Sequence, residues 1–124
     1  MTTKSNNVLA VEMLGTTMVV TPQGDSFSFR YNDIHSETNL VIAAIDRHDA
    51  DGLVINFCKV GVIGSIMITS VVRLARKIGI RKGRAVFCCA SPATKSVIQT
   101  MNLTRLWPYF ETQDAAVAAS MPDG

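Results

Sequence analysis

Apolar and polar positions change rhythm several times along this chain, and each change marks an element. Val8 to Leu14 reads as a strand, and Gly15 with Thr16 supplies a turn into a second strand, Met18 to Thr21. Pro22 to Asp25 ends it, because proline and glycine punctuate regular structure. From Ser26 to Asn32, Phe27, Phe29 and Tyr31 alternate with polar neighbours, so the segment reads equally as a strand or as a loop with aromatic anchors. Asp33 to His48 carries a partial helical stripe at Ile34, Leu40, Val41, Ala44 and Ile45. A loop, His48 to Gly52, leads into Leu53 to Phe57. That run is nearly continuous in β-branched and aromatic residues, as a strand covered on both faces requires.

A helix is expected from about Ser65 to Ile78, with Gly79 at its left-handed C-cap. Arg84 to Cys89 is another buried strand. Ser91 as N-cap and Pro92 as first helical residue open a helix that runs to about Met101, where Asn102 ends it. Trp107 to Glu111 is a short strand confined to a sheet edge, since Pro108 cannot donate to a ladder. Asp114 to Ser120 forms the last helix, capped by Thr112 or Asp114. After an opening hairpin, strands alternate with helices. This predicts a single α/β domain with a small mixed, largely parallel β-sheet covered by helices. The domain is expected over residues 8–120, between flexible tails at 1–7 and 121–124.

Composition narrows the function more than it defines one. The 124 residues are 48% apolar, enough for one real core, and the net charge of +2 does not argue for nucleic acid. No apolar run is long enough to span a bilayer, and Met1 to Asn7 lacks the apolar core of a secretory signal. The three cysteines give no metal spacing; Cys88 and Cys89 are adjacent on a predicted strand and should point to opposite faces. Buried, reduced thiols in a cytoplasmic protein are the simplest expectation. His35 and His48 have no Cys or carboxylate at ligand spacing, and no Gly-x-Ser-x-Gly elbow is present. Neither an enzyme nor a cofactor is expected.

The most informative stretch is Leu53 to Ser65: an apolar strand, a turn containing Gly61 and Gly64, and a serine at a helix start. As an N-cap, the Ser65 oxygen would accept a first-turn N–H, worth roughly 1 kcal/mol. The same position can hold a phosphate, covalently on Ser65 or from a bound anion. Arg73, Arg76, Lys77, Arg81, Lys82 and Arg84 place six of the twelve basic residues within twelve positions. That cluster reads as a solvated helix C-terminus or as a docking patch for an acidic partner. Asp46 and Asp49, beside a loop, are expected to be solvated. Ile66, Met67, Val71, Leu74 and Ile78 should be mostly core. Ile66, Met67 and Thr69 cannot all face inward, however, and those facing out would make an apolar rim beside Ser65.

The strand-turn-serine-helix unit, the segment Cys88 to Lys95 and the element order resemble the STAS family, named for sulfate transporters and anti-sigma-factor antagonists. The resemblance spans about Val19 to Ala119 and is specific between Leu53 and Ser96. In the bacterial antagonists the strand ends in Asp-Ser-(Ser/Thr)-Gly-Leu, and a partner kinase phosphorylates the first serine. Here Gly64, Ser65, Ile66, Met67 and Ile68 stand at those places, so only Ser65 matches the Asp-Ser-(Ser/Thr)-Gly core. Asn102 to Leu106 stands where the family usually has a Gly-Leu pair. Gly24-Asp25 occupies the turn after the second strand and is followed by extra residues, Ser26 to Tyr31.

The resemblance implies a regulatory domain that binds a protein partner, an ATP-binding serine kinase with anti-sigma activity or another signalling protein. Ser65 would be the phosphorylated residue, and Asp25, Gly64, Ser65, Ile66, Met67, Thr69 and Ser91 the contact residues. A constitutive, unphosphorylated scaffold, a homo-oligomer, and a module binding a small anion, nucleotide or lipid head group at the Ser65 turn stay open beside it.

Overall fold

The computed structural model describes residues 8–23 and 31–121. The expectations for the tails at 1–7 and 122–124, for Asp25, and for Phe27 and Phe29 lie outside the described residues. Five strands and four helices follow in the order β1 (Leu9–Leu14), β2 (Thr17–Pro22), α1 (Tyr31–Arg47), β3 (Gly52–Asn56), α2 (Ser65–Ile80), β4 (Arg84–Cys88), α3 (Pro92–Thr100), β5 (Tyr109–Phe110) and α4 (Gln113–Ser120). A single 3₁₀ turn, Leu103–Arg105, joins α3 to β5. The strands form one sheet in sequence order; β1 is antiparallel to β2, and every other pair is parallel. This is the α/β architecture that the periodicity predicts. β5 lies at the edge, as Pro108 requires.

The period of two in the strands divides the interior into two layers. Met18, Val20, Leu53, Ile55, Ala85 and Phe87 face the larger core, under α1 and α2. Val19, Val54, Val86 and Cys88 face a smaller one under Ala116 of α4. All five residues of β3 are buried, as its continuous apolar run implies. Phe87 meets Phe57 edge-on at 5.6 Å and Trp107 at 5.9 Å, closing the core beside β5. Such aromatic pairs add about 0.5–1.5 kcal/mol beyond their buried area.

Three local expectations fail for identifiable reasons. Helix α2 does not stop at Gly79: it runs to Ile80, and Lys82 takes the left-handed position with φ 66°. The Lys82 N–H donates to the Gly79 carbonyl at 2.9 Å and the Gly83 N–H to the Ile78 carbonyl at 2.8 Å, a Schellman closure. Glycine is needed one residue later, at Gly83, where a Cβ would lie 2.3 Å from the Asp51 carbonyl oxygen. Secondly, Cys89 has φ 64°, so strand alternation ends at Cys88 and both residues pack on the same small core. Only Cys88 is buried. Cys89 is half-buried and Cys58 exposed.

Thirdly, Asp46 and Asp49 are not simply solvated. Lys77 Nζ donates to Asp46 Oδ2 at 2.8 Å, and Arg81 reaches Asp46 at 3.0 Å and Asp49 at 3.2 Å. Arg73 donates to Asn39 Oδ1 at 2.8 Å. Half of the basic cluster therefore clasps α2 to α1 instead of offering an open cationic face.

Candidate functional site at the start of helix α2

Strand β3 ends at Asn56, whose side chain anchors the loop that follows. Asn56 Oδ1 accepts the Cys58 N–H at 2.9 Å, and Nδ2 donates to Gln113 Oε1 of α4 at 2.7 Å. The Val60 N–H then closes a turn on the Phe57 carbonyl at 3.0 Å. Val60 and Ile63 bury their side chains in the main core, which leaves Val62 between them 49% exposed. A second tether comes from α3. Ser91 Oγ accepts the Thr94 N–H at 3.2 Å, the N-cap expected from sequence, and donates to the Gly61 carbonyl at 2.7 Å. The buried Thr94 hydroxyl points to the same carbonyl at 3.5 Å.

Helix α2 begins one residue earlier than an N-cap reading of Ser65 requires. Gly64 is the N-cap, with φ −90° and ψ 166°, and its carbonyl accepts the Ile68 N–H at 3.0 Å. Ser65 is therefore the first helical residue, and no side chain caps the turn. Its hydroxyl is exposed and makes no hydrogen bond among the described residues. The structural role that could have explained the serine is absent. The first turn carries neither an acidic residue nor a side-chain cap, so the positive end of the helix dipole lies beside the hydroxyl without a compensating side chain.

Around Ser65 the expected contact residues separate into two groups. Ile66 is 39% exposed, and Thr69 is exposed with its hydroxyl turned back to the Ser65 carbonyl at 3.0 Å. Met67 is completely buried: at 100° per residue its side chain falls on the core stripe with Val71, Leu74 and Ile78. Met67 is thus a core residue, not part of a partner surface. Ser91 is half-buried and holds the loop, so it shapes the surface more than it forms it. Val62 was not anticipated, nor was the tether on Gly61, which the sequence marks only as a turn residue. The spacing of Val60 and Ile63 could have indicated that Val62, the one side chain between them, points outward.

Farther out, the Lys95 ammonium lies 4.9 Å from the Tyr109 ring centre and 3.3 Å from Glu111. The Tyr109 hydroxyl accepts the Ala90 N–H at 3.0 Å, yet burial outweighs this and pushes its pKa up. Burial likewise raises the Cys88 thiol, with Cys89 and Cys58 nearby, and keeps it protonated. Among the described residues no group of His, Cys, Asp and Glu is arranged to hold a metal ion. Nor is any helix among them long and apolar enough to cross a membrane.

A family model described as the STAS domain matches residues 8–116. The chain belongs to the STAS domain family. Solved structures with the same fold include a putative anti-sigma factor antagonist from Thermotoga maritima, at TM-score 0.75 and 13% identity, covering 89% of this chain and 92% of that one. An anti-sigma factor antagonist from Mycobacterium paratuberculosis gives TM-score 0.73 and 23% identity over 91% and 92% of the two chains. The Bacillus cell fate determinant SpoIIAA, in its phosphorylated form, gives 0.70 and 18% over 92% and 100%. No curated protein sequence matches the chain. In this STAS domain the site at the start of α2 thus combines a serine hydroxyl with no hydrogen bond among the described residues, a helix end without a side-chain cap, and two exposed aliphatic side chains, Val62 and Ile66.

Proposed function

We propose that this STAS domain is a non-enzymatic regulator that docks a protein partner on the surface formed by Gly61, Val62, Gly64, Ser65, Ile66 and Thr69. The reading follows that of an anti-sigma-factor antagonist in bacterial signalling, with the partner an ATP-binding serine kinase or another signalling protein. The observation that carries it is Ser65 itself: an exposed hydroxyl with no hydrogen-bond partner among the described residues, at a helix start, between two outward-facing aliphatic residues. Such a position suits a switch. A phosphate there adds about −1.5 to −2 charges where the helix dipole and the first-turn amides favour them, so the fold is retained. The same charge facing a partner across Val62 and Ile66 would have to be desolvated, and binding would be lost. That a structural relative is known in phosphorylated form supports the same chemistry here.

Gly64 in place of a carboxylate and the buried Met67 favour a second reading, a constitutive scaffold that docks through the same surface without phosphorylation. Capture of the tagged chain from its native cells, with phosphopeptide mapping of the tryptic fragment Val60 to Arg73, separates the two. Phosphate localised to Ser65, together with a kinase-like partner, is the outcome expected for the switch. A stable partner on a chain that is never phosphorylated at Ser65 would assign the scaffold.

A further inference from the structure

Strand β5 is too short to cover the outer edge of β4. Its two residues pair with Phe87 and Cys88, so the first part of β4 has no strand on that side among the described residues. Successive amides along a strand point to opposite edges. The Arg84 N–H donates inward, to the Asp51 carbonyl at 3.2 Å. Those of Phe87 and Cys89 donate outward, to the Pro108 and Phe110 carbonyls at 2.9 and 3.3 Å. Ala85 is in phase with Phe87 and Cys89, so its N–H and C=O both face outward. Neither has a hydrogen bond among the described residues. Continuing β5 backward in register would not supply one. The N–H of residue 108 would have to donate to the Ala85 carbonyl, and Pro108 has no N–H. The Leu106 carbonyl would have to accept the Ala85 N–H, but Leu106 closes the 3₁₀ turn before it, with φ −95° and ψ −37°.

This open edge lies in a groove of about 550 Å³. Ala75 and Gly79 of α2 wall the groove on one face of the sheet, Ala119 of α4 walls it on the other, and Trp107 stands beside them. Small residues on both flanks leave room for side chains that alternate between the two faces, as those of an extended chain do. A donor and an acceptor on one strand residue are what a neighbouring strand pairs with. We infer that the groove admits an extended segment of a partner protein, which joins the sheet as a short strand beside Ala85. Its main chain would accept the Ala85 N–H and donate to the Ala85 carbonyl. Its apolar side chains would lie alternately against Ala75 with Gly79 and against Ala119. Proline is excluded where the segment must donate. The groove is at the amino ends of the parallel strands, whereas Ser65 follows the carboxyl end of β3, so the inference goes beyond the Ser65 reading and does not depend on it.

Trp107 is the only tryptophan, so its fluorescence reports occupancy of the groove. The probe is a blocked pentapeptide, acetyl-Thr-Val-Val-Val-Thr-amide, chosen for strand propensity. The control has the same side chains with every backbone nitrogen methylated. The probe should change Trp107 emission saturably and slow amide hydrogen exchange at Ala85, and the control should bind at least about tenfold more weakly. Ala85→Pro removes the outward N–H without breaking a ladder bond and should weaken binding by a similar factor. Gly79→Leu, at a position where an added Cβ meets nothing, fills the groove and should do the same in a folded domain. Ser65→Glu should leave binding unchanged. No saturable response to the probe, equal binding of the methylated control, or wild-type affinity in both groove variants would overturn the inference. So would a response to decanoate without one to the peptide, which would assign a small molecule. A concentration-dependent dimer lost on Gly79→Leu would assign a second copy and overturn it equally.

Discussion

Ser65 and Ser91 are both serines at helix starts, yet their environments assign them different work. Ser91 uses its oxygen twice, as N-cap of α3 and as a tether on the Gly61 carbonyl. Ser91→Ala should cost about 1 kcal/mol through the cap, measured by denaturant unfolding. It should also speed amide hydrogen exchange at Val62 to Gly64 by more than the global loss accounts for, and Ser91→Thr should restore both. Ser65 has no such bonds. Ser65→Ala should therefore leave the unfolding midpoint within about 0.5 kcal/mol of wild type, whereas an N-cap serine would have lost about 1 kcal/mol. The sequence reading erred here by a single position. Serine is a favoured N-cap and glycine an acceptable one, and nothing local in Gly64-Ser65 says which of them takes the extended φ and ψ. Met67 was read both as core and as a contact residue; its spacing from Val71, Leu74 and Ile78 puts it on the buried stripe, and only the core reading stands.

At the scale of elements, strands were the most legible. A continuous apolar run of strand length is a local property, and Leu53 to Phe57 and Arg84 to Cys89 carry it almost without interruption. Contacts between elements were not legible, because their partners lie about thirty residues apart in sequence. The clasp of Asp46 on Lys77 and Arg81 is the clearest case. The hydrogen bond from Lys77, helped by the charges of Lys77 and Arg81, holds the Asp46 carboxyl below its ordinary value of 3.8. A depressed carboxylate pKa stabilises the fold above the unfolded-state value, and that stabilisation disappears as pH falls through the folded-state value. Unfolding midpoints measured from about pH 5 downward should therefore fall more steeply for wild type than for Asp46→Asn. Equal slopes would show that the clasp carries no net stability. Helix α4 depends on a different contact. A Cβ on Gly52 would lie 2.5 Å from the Ser120 carbonyl oxygen, where Thr17 and Ser120 share a buried hydrogen bond at 3.2 Å. Gly52→Ala should cost about 1–3 kcal/mol by forcing α4 off the sheet, read as a lowered thermal midpoint.

For the molecule as a whole, the parallel strands β2 to β5 place the β3–α2 loop and the start of α3 at one end of the sheet, and the turns at Gly83 and Pro108 at the other. The first end holds the free Ser65 hydroxyl, Val62 and Ile66; its loop is fixed by Val60, Ile63, Asn56 and Ser91. A rigid presentation of this kind keeps the entropic cost of docking low. The strand-turn-serine pattern and then the family resemblance drew attention to Ser65, and the fold, with Gly64 as N-cap, leaves its hydroxyl without a hydrogen bond among the described residues. The central claim is that partners dock at the Ser65 end under the control of charge. The most direct test compares retention of the partner captured from native cells by wild type, Ser65→Ala and Ser65→Glu, with all three variants verified as folded. Retention by wild type and Ser65→Ala, with loss of at least about tenfold for Ser65→Glu, is the predicted result. Equal retention by all three would contradict the account and place the partner elsewhere on the domain.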